Sequence, residues 1–292
     1  PRFQDNSISG LSLTLPYFFA LAENRDLTLT PRLFNDDKFL IQTEFREKNK
    51  NSSHIIDVSQ FLSSNENSKG HLFYNFNKNL SSDKFDNLEL NIQLEQVTDE
   101  TYLKANKIES PIIKSFSNLT NSLNLQMYNE DVSIDTNLNV YEDLTKNDSD
   151  KYEYVPNFSF SKIINDNYSF NSNGYYKNYN TNITEKVLIN NFDFQSNQRL
   201  FNSGLINEKI FSIKNVNSGS TNSNNFKDKN SSTIIPTFQT NFTYPLNKES
   251  LEFNNRINPK LSLRLSLPSS KDVRKKDRTI GYENIYDLDR LG

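Results

Sequence analysis

From Leu88 to Glu95 the chain alternates without a slip. Leu88, Leu90, Ile92 and Leu94 are apolar, and Glu89, Asn91, Gln93 and Glu95 between them are polar or charged. A strict period of two places one set on each face of an extended strand. The pattern returns as Val132, Ile134, Leu138 and Val140 against Ser133, Asp135, Asn137 and Asn139. It returns again as Leu261, Leu263, Leu265 and Leu267 against Ser262, Arg264 and Ser266. Looser versions occupy 11–21, 26–34, 39–47, 71–77, 122–128, 155–161, 167–179, 187–195, 208–216 and 236–244, with Asn-, Ser-, Asp- and Lys-rich turns between many of them. There are roughly fourteen such segments, about twenty residues apart, which is wide for a sandwich but suits tilted strands of ~10 residues that cross a bilayer.

Composition narrows the reading. Apolar residues are only 34% of the chain and mean hydropathy is -0.74, against about 45–50% apolar in ordinary globular domains. Disorder is one way to be this polar, but 22 Phe, 14 Tyr and sustained alternation argue against it. The other way is a sheet with one apolar and one wet face, and a transmembrane β-barrel is built so. The fold class expected is therefore all-β: an antiparallel transmembrane β-barrel, here roughly fourteen strands of a larger one. The net charge of -3 offers no field for nucleic acid. There is no cysteine, hence no disulfide framework, and no apolar run reaches the ~18–20 residues of a membrane helix. The chain opens on Pro1 inside strand-like sequence without an initiator Met. This leads to the expectation that 1–292 is the N-terminal part of a barrel domain cut from a longer protein.

Helix signals are scarce. The stretch 98–111 can hold one short turn, with Thr98 as its cap and Glu100 in the first turn. The polar stretch 217–232 reads as a long, mobile surface loop. No catalytic, cofactor or metal site is expected. His54 and His71 lie on separate strands without a cysteine partner and read as surface or lumen histidines. Asn147-Asp148-Ser149-Asp150 lacks the central glycine and distal glutamate of a calcium loop. Lys271, Arg274, Lys275, Lys276 and Arg278 form a basic cluster that reads as a solvated loop.

Prolines interrupt the opening strands. Pro16 and Pro31 lie inside alternating runs, and a proline brings no N–H to a ladder. If the first hairpin turns around Ser7–Gly10, antiparallel register sets Pro1 beside Pro16. Two missing donors at one level make a weak point. Pro31 has a plainer reading, as a tidy strand end before a loop.

The opening block also resembles a known family. Pro16-Tyr17-Phe18, then Asp26-Leu27-Thr28-Leu29-Thr30-Pro31-Arg32, then Glu44-Phe45-Arg46 resemble the start of the barrel in the LptD (OstA, Imp) family of LPS-assembly proteins. DETYLK (99–104) resembles a later block. INPKLSLRLSLP (257–268) and YENIYDLDRLG (282–292) resemble the block after it, with Asp289 and Leu291 where asparagine and phenylalanine are usual. The resemblance implies a large outer-membrane barrel that carries lipopolysaccharide and releases it sideways through a lateral gate. The weakened strands would match Pro1 and Pro16. Asp26, Thr28, Thr30, Pro31, Arg32, Glu44 and Arg46 match the motif without an assigned role. Further implied are a periplasmic jelly-roll domain upstream, a periplasmic bridge protein that docks there, more strands downstream, and an LptE-like lipoprotein plugging the lumen. The family is not enzymatic. Two other readings share the alternation: a porin or plugged nutrient transporter, and a secreted β-rich adhesin. The first should lack the 26–32 and 44–46 blocks, and the second should show repeats of fixed period.

Overall fold

The computed structural model describes residues 1–6, 10–35, 38–64, 67–146, 150–180, 182–223, 226, 228–249 and 253–266. Residues 147–149 of the calcium-like loop, the basic cluster at 271–278 and the block at 282–292 lie outside them. The chain forms two compact units. One comprises Pro1–Asn129, Ile134–Asn157 and Lys177–Thr181, and the other Glu130–Ser133, Phe158–Tyr176 and Asn182–Gly292.

The first unit is an antiparallel meander. Its strands are β1 (Arg2–Asn6), β2 (Gly10–Thr14), β3 (Tyr17–Ala22), β4 (Arg25–Phe34), β5 (Lys38–Lys48), β6 (Ser52–Ser63), β7 (Lys69–Asn79) and β8 (Asn87–Val97). A short helix α1 (Tyr102–Asn106) precedes β9 (Asn118–Tyr128), β10 (Val132–Asp143) and β11 (Tyr152–Tyr154). β1 pairs with β2, both β2 and β3 lie on β4, and β4 through β9 pair in sequence. The register sorts the side chains. Leu33 faces Phe39, Leu29 faces Thr43 and Leu27 faces Phe45 on one side of the sheet. Arg32 faces Leu40, Thr30 faces Gln42, Thr28 faces Glu44 and Asp26 faces Arg46 on the other.

The connection between β8 and β9 folds back over that second, polar side. Tyr102, Leu103, Ile108 and Ile112 come from the connection, and they form a buried cluster with Leu40, Phe61, Phe73, Leu119 and Leu144. The apolar side is left open. Leu33, Val58, Leu62, Leu72, Leu94 and Leu123 are all exposed. In water a sheet buries its apolar face and wets the other. Here the face rich in leucine and phenylalanine is the uncovered one, an arrangement that suits a lipid solvent.

The second unit holds β12 (Asn157–Asn165), β13 (Tyr168–Asn180), β14 (Ile183–Gln195), β15 (Arg199–Leu200), β16 (Ile206–Thr221), β17 (Ser231–Thr243), β18 (Leu246–Glu249), β19 (Asn254–Ile257) and β20 (Lys260–Ser266), apart from the ends of β12 and β13 that belong to the first unit. β14, β16, β17 and β20 pair in that order, and β18 with β19 makes a separate ribbon. One face carries Phe194 beside Phe211, Phe211 beside Phe238 and Phe238 beside Leu265. The opposite face carries Asp193 beside Ser212, Ser212 beside Thr237, and Gln239 beside Arg264. Phe211, Ile213, Phe238, Leu261, Leu263 and Leu265 are again exposed.

Four sequence expectations shift. The run 11–21 is not one strand: it breaks at Leu15–Pro16 into β2 and β3. The helix begins later than the cap at Thr98 implied. Its N-cap is Thr101 and no acidic residue stands in its first turn, while the Thr98 hydroxyl donates to Gly70 O at 3.3 Å. The polar stretch 217–232 is strand at both its ends, because β16 runs to Thr221 and β17 starts at Ser231. A ladder is made by backbone groups, and polar side chains do not prevent it. Finally, Arg2 faces Thr14 and Asn6 faces Gly10. That register sets Pro1 opposite Leu15, one residue short of Pro16.

Candidate functional site

Two features of the first unit draw the motif residues together: a thinned ladder at Leu15–Pro16, and a buried polar network beneath the β8–β9 connection.

Along an antiparallel strand, successive residues offer their N–H and C=O to opposite neighbours. The Leu15 N–H donates to Pro31 O at 3.0 Å, and the Asn35 N–H to Leu11 O at 3.3 Å. Leu15 therefore faces β4. Pro31 has no N–H to return, so this pair closes with one bond where two are usual. Pro16 faces the β1 side and brings no donor there either. Each missing bond forfeits about 0.5–1.5 kcal/mol, and the strand assignment lapses at this level. Pro31 is thus no strand end: β4 continues to Phe34. Its effect is to remove a bond between β2 and β4 at the level where Pro16 offers no donor to the other side.

The remaining motif residues share the polar face of β4 and β5. Arg46 Nε lies 2.9 Å from Asp26 Oδ1 and 3.4 Å from Glu44 Oε1. This partly exposed trio ties the two strands together across the face. Thr28 and Thr30 stand between, half-buried. Arg32 is different. It is buried, its Nε donates to Thr14 Oγ1 at 3.1 Å, and its Nη1 donates to Asn106 O at 2.5 Å. It joins the last residue of β2 to the last residue of α1.

Next to Arg32 the connection is seated on side chains from β5, β6 and β7. Gln42 Nε2 donates to Asp57 Oδ2 at 2.9 Å and to Glu109 O at 2.9 Å. The Tyr102 hydroxyl meets Ser59 Oγ at 2.5 Å, and Ser59 Oγ meets His71 Nδ1 at 2.6 Å. His71 Nε2 stands 3.2 Å from Asp57 Oδ1 without a well-directed hydrogen bond, and the side chains of both are closed to solvent. The His71 ring stacks on Phe73 with centroids 4.1 Å apart. Ser59, His71 and Asp57 thus stand in the order of a hydrolytic triad. They lack what a triad requires, an accessible nucleophile beside an oxyanion site. Ser59 is buried under Tyr102, and the network is a hydrogen-bonded seat. Burial pushes the Tyr102 phenol up to about 12, against the lesser pull of the Ser59 hydrogen bond. At the mouth of the connection, bonds from the Thr101 hydroxyl and backbone N–H hold the Asp99 carboxyl below its usual range, and Lys69 pairs with it at 3.3 Å.

The two histidines part company. His71 is a core residue of this seat and not a surface or lumen side chain, because the connection covers it. His54 lies on the apolar side, with Nδ1 3.0 Å from the Tyr74 hydroxyl and its ring 4.6 Å from that of Phe76. Among the described residues no cluster of His, Cys, Asp and Glu is arranged to hold a metal. Sequence reading passed over Thr14, Gln42, Asp57, Ser59, Tyr102 and Asn106. Their one signal is that polar residues recur on the Arg32 face of β2, β5 and β6. The partner that makes them a site lies far along the chain.

Fold and site together define an all-β protein of many antiparallel strands, with an open apolar face and a locally thinned ladder near its start. Comparison with known proteins adds a direction. No family model matches the chain. It is 48% identical over 46 residues to the LPS-assembly protein LptD of Burkholderia cenocepacia, which is 16% of this chain and 6% of that protein. It is 32% identical over 102 residues to LptD of Cupriavidus pinatubonensis, covering 35% of this chain and 12% of the relative. Against LptD of Pseudoalteromonas atlantica it is 25% identical over 167 residues, 56% of this chain and 21% of the relative. The chain therefore spans less than a quarter of the length of each of these curated relatives, and the likeness to LptD is partial.

Proposed function

We propose that this chain is part of an outer-membrane β-barrel that carries lipopolysaccharide to the outer leaflet and releases it through a lateral gate. The observation that carries the reading is the inverted sheet: in both units the apolar face is open and the polar face is covered or lined by hydrogen-bonded side chains. The partial likeness to LptD proteins supplies the cargo. On this reading the open face meets acyl chains and the polar face borders a wet lumen. Lipopolysaccharide joins acyl chains to a large sugar, so it must pass from lumen to bilayer across a ladder. A strand that has lost donors at Pro16 and Pro31 is where that costs least, since every unmade bond in lipid is expensive. Pro1, Pro16 and the residues beside them form the gate strands at this end of the sheet. No step needs chemistry, and the protein acts as a conduit. Its partners would be lipopolysaccharide, membrane lipid, an LptE-like lipoprotein in the lumen, and a periplasmic bridge protein bound to a jelly-roll domain upstream.

The test is in cells. In the full-length protein, Pro16→Val together with Pro31→Val restores two donors at the seam. Surface lipopolysaccharide should fall and accumulate behind the barrel, while the amount of assembled barrel stays constant. Normal surface lipopolysaccharide with the strengthened seam would remove the gate from this position.

A further inference from the structure

Arg32 bonds two parts of the first unit that are otherwise far apart in sequence. One bond reaches Thr14, the residue after which β2 breaks, and the other reaches the Asn106 carbonyl at the end of α1. A guanidinium keeps its charge at any accessible pH, and a buried one needs its acceptors. If the connection lifts, Arg32 loses the Asn106 carbonyl and water reaches its guanidinium. The bond to Thr14 then competes with solvent and with the side chain's freedom, and an exposed bond of this kind holds little. The reverse also holds: an anchored Arg32 helps to seat α1. The other fastenings of the connection also bypass β2: Tyr102 to Ser59 on β6, the Glu109 carbonyl to Gln42 on β5, Thr98 and Asp99 to Gly70 and Lys69 on β7, Glu100 to Lys151, and the Ser117 carbonyl to Leu144. The exposed pair of Arg2 with Glu109 at 2.7 Å adds little.

We propose that Arg32 is a positioning residue that couples the connection over 98–117 to β2. When the connection is seated, β2 is clamped to β4 by a side-chain bond at the level where the backbone ladder is poorest. When it is displaced, that clamp is lost. Contact on the polar face could thereby be felt at the seam, a consequence that rests on the gate reading above, whereas the coupling itself stands on the geometry.

The experiment is amide hydrogen exchange on the full-length protein in lipid nanodiscs. The Leu15 and Asn35 amides report the β2–β4 bonds, and the Lys48 amide, bonded to Asn24 O at 2.8 Å, is the control. Tyr102→Ala unseats the connection without touching β2. It should lower protection at Leu15 and Asn35 by about tenfold and leave Lys48 unchanged. Arg32→Leu should do the same, and the double variant should do no more than either single one, the mark of a shared link. Arg32→Lys keeps the charge without the fork that reaches both acceptors, and should not restore protection. If Tyr102→Ala fails to assemble, Ser59→Ala with Tyr102→Phe removes the same fastening more gently. Unchanged protection at Leu15 in the Tyr102 variants, or additive losses in the double variant, would overturn the coupling. Loss of protection with normal lipopolysaccharide release would uphold the coupling and sink the gate reading. Altered release with intact protection would do the opposite.

Discussion

The two units solve the same problem differently. Each is an antiparallel sheet with an open apolar face, so each must satisfy its polar face without help from a second sheet. The first unit covers that face with a segment of chain. Tyr102, Leu103, Ile108 and Ile112 bring apolar bulk to it, and the polar groups beneath bond to one another around Ser59, Asp57 and Arg32. The second unit uses the strands' own side chains. Ser212 donates to Asn191, Asn207 to Thr240, Asn241 to Glu208 and Ser262 to Asn241. Beside this lattice lies a cavity of about 840 Å³ lined by Asn171, Asn191, Asp193, Ser212 and Lys214. A cover creates a small hydrophobic core on the wet side and makes distant residues interdependent. A lattice of Asn and Ser does not, since each bond joins near neighbours in the sheet.

The comparison can be broken first at what the units share. Leu72→Arg in the first unit and Phe238→Arg in the second place a charge on the open face. If that face meets lipid, each should destabilise the protein by about 2–4 kcal/mol in bilayers. If it meets water, each should stay within about 0.5 kcal/mol. Equilibrium unfolding in lipid vesicles separates the two, and a near-zero effect in both units would end the membrane reading.

The next effect should divide the units. Tyr102→Ala removes the centre of the cover and should cost about 3–5 kcal/mol, with exchange rising in the parts of β4 to β7 beneath it, but not at Lys48 at the far end of β5, and unchanged in β16 and β17. Uniform loosening of both would mean that the cover is no separate device. By contrast, Asn241→Ala in the second unit should cost about 1–3 kcal/mol, because Asn241 is buried and its partners Glu208 and Ser262 each lose a bond.

Smaller effects come from pH. Burial raises the Tyr102 phenol from 10.0 to about 12, so the folded state favours the neutral form. The stability this contributes is complete below pH 10 and is lost as pH rises toward 12. Protease cleavage within the connection should accelerate across that window, and Tyr102→Phe should abolish the alkaline step. Asp99 has the opposite sign. Its carboxyl is held below its usual range by Thr101, so its contribution is present above that range and lost as pH falls through the folded value. Asp99→Asn should flatten the acid limb of the same cleavage assay slightly, since the group is largely hydrated.

Much of the architecture is legible in the sequence. Alternation at Leu88–Glu95 and Leu261–Ser266 named the strands, because side chains on a pleat point to opposite faces whatever the rest of the chain does. The prolines announce missing N–H groups for a similarly local reason, but which strand lacks the bond follows from the register. Local rules failed where a neighbour decides. Pro31 looked like a strand end until the Leu15 amide was found on its carbonyl. His71 looked like a surface side chain until Tyr102 was found above Ser59. The stretch 217–221 looked like a loop because its side chains are polar, whereas its backbone is paired with β14.

The sequence by itself therefore determined that this protein is a two-faced sheet, and which positions of its first strands bring no N–H to a ladder. Tertiary structure alone decided that the polar face of the first unit is the covered one. It also decided that Arg32, a motif residue without an evident task, joins β2 to the end of α1. Alternation is symmetric and carries no label for inside or outside. That symmetry is broken by a contact between residues such as Arg32 and Asn106, which lie far apart in the chain and meet only when the connection folds back.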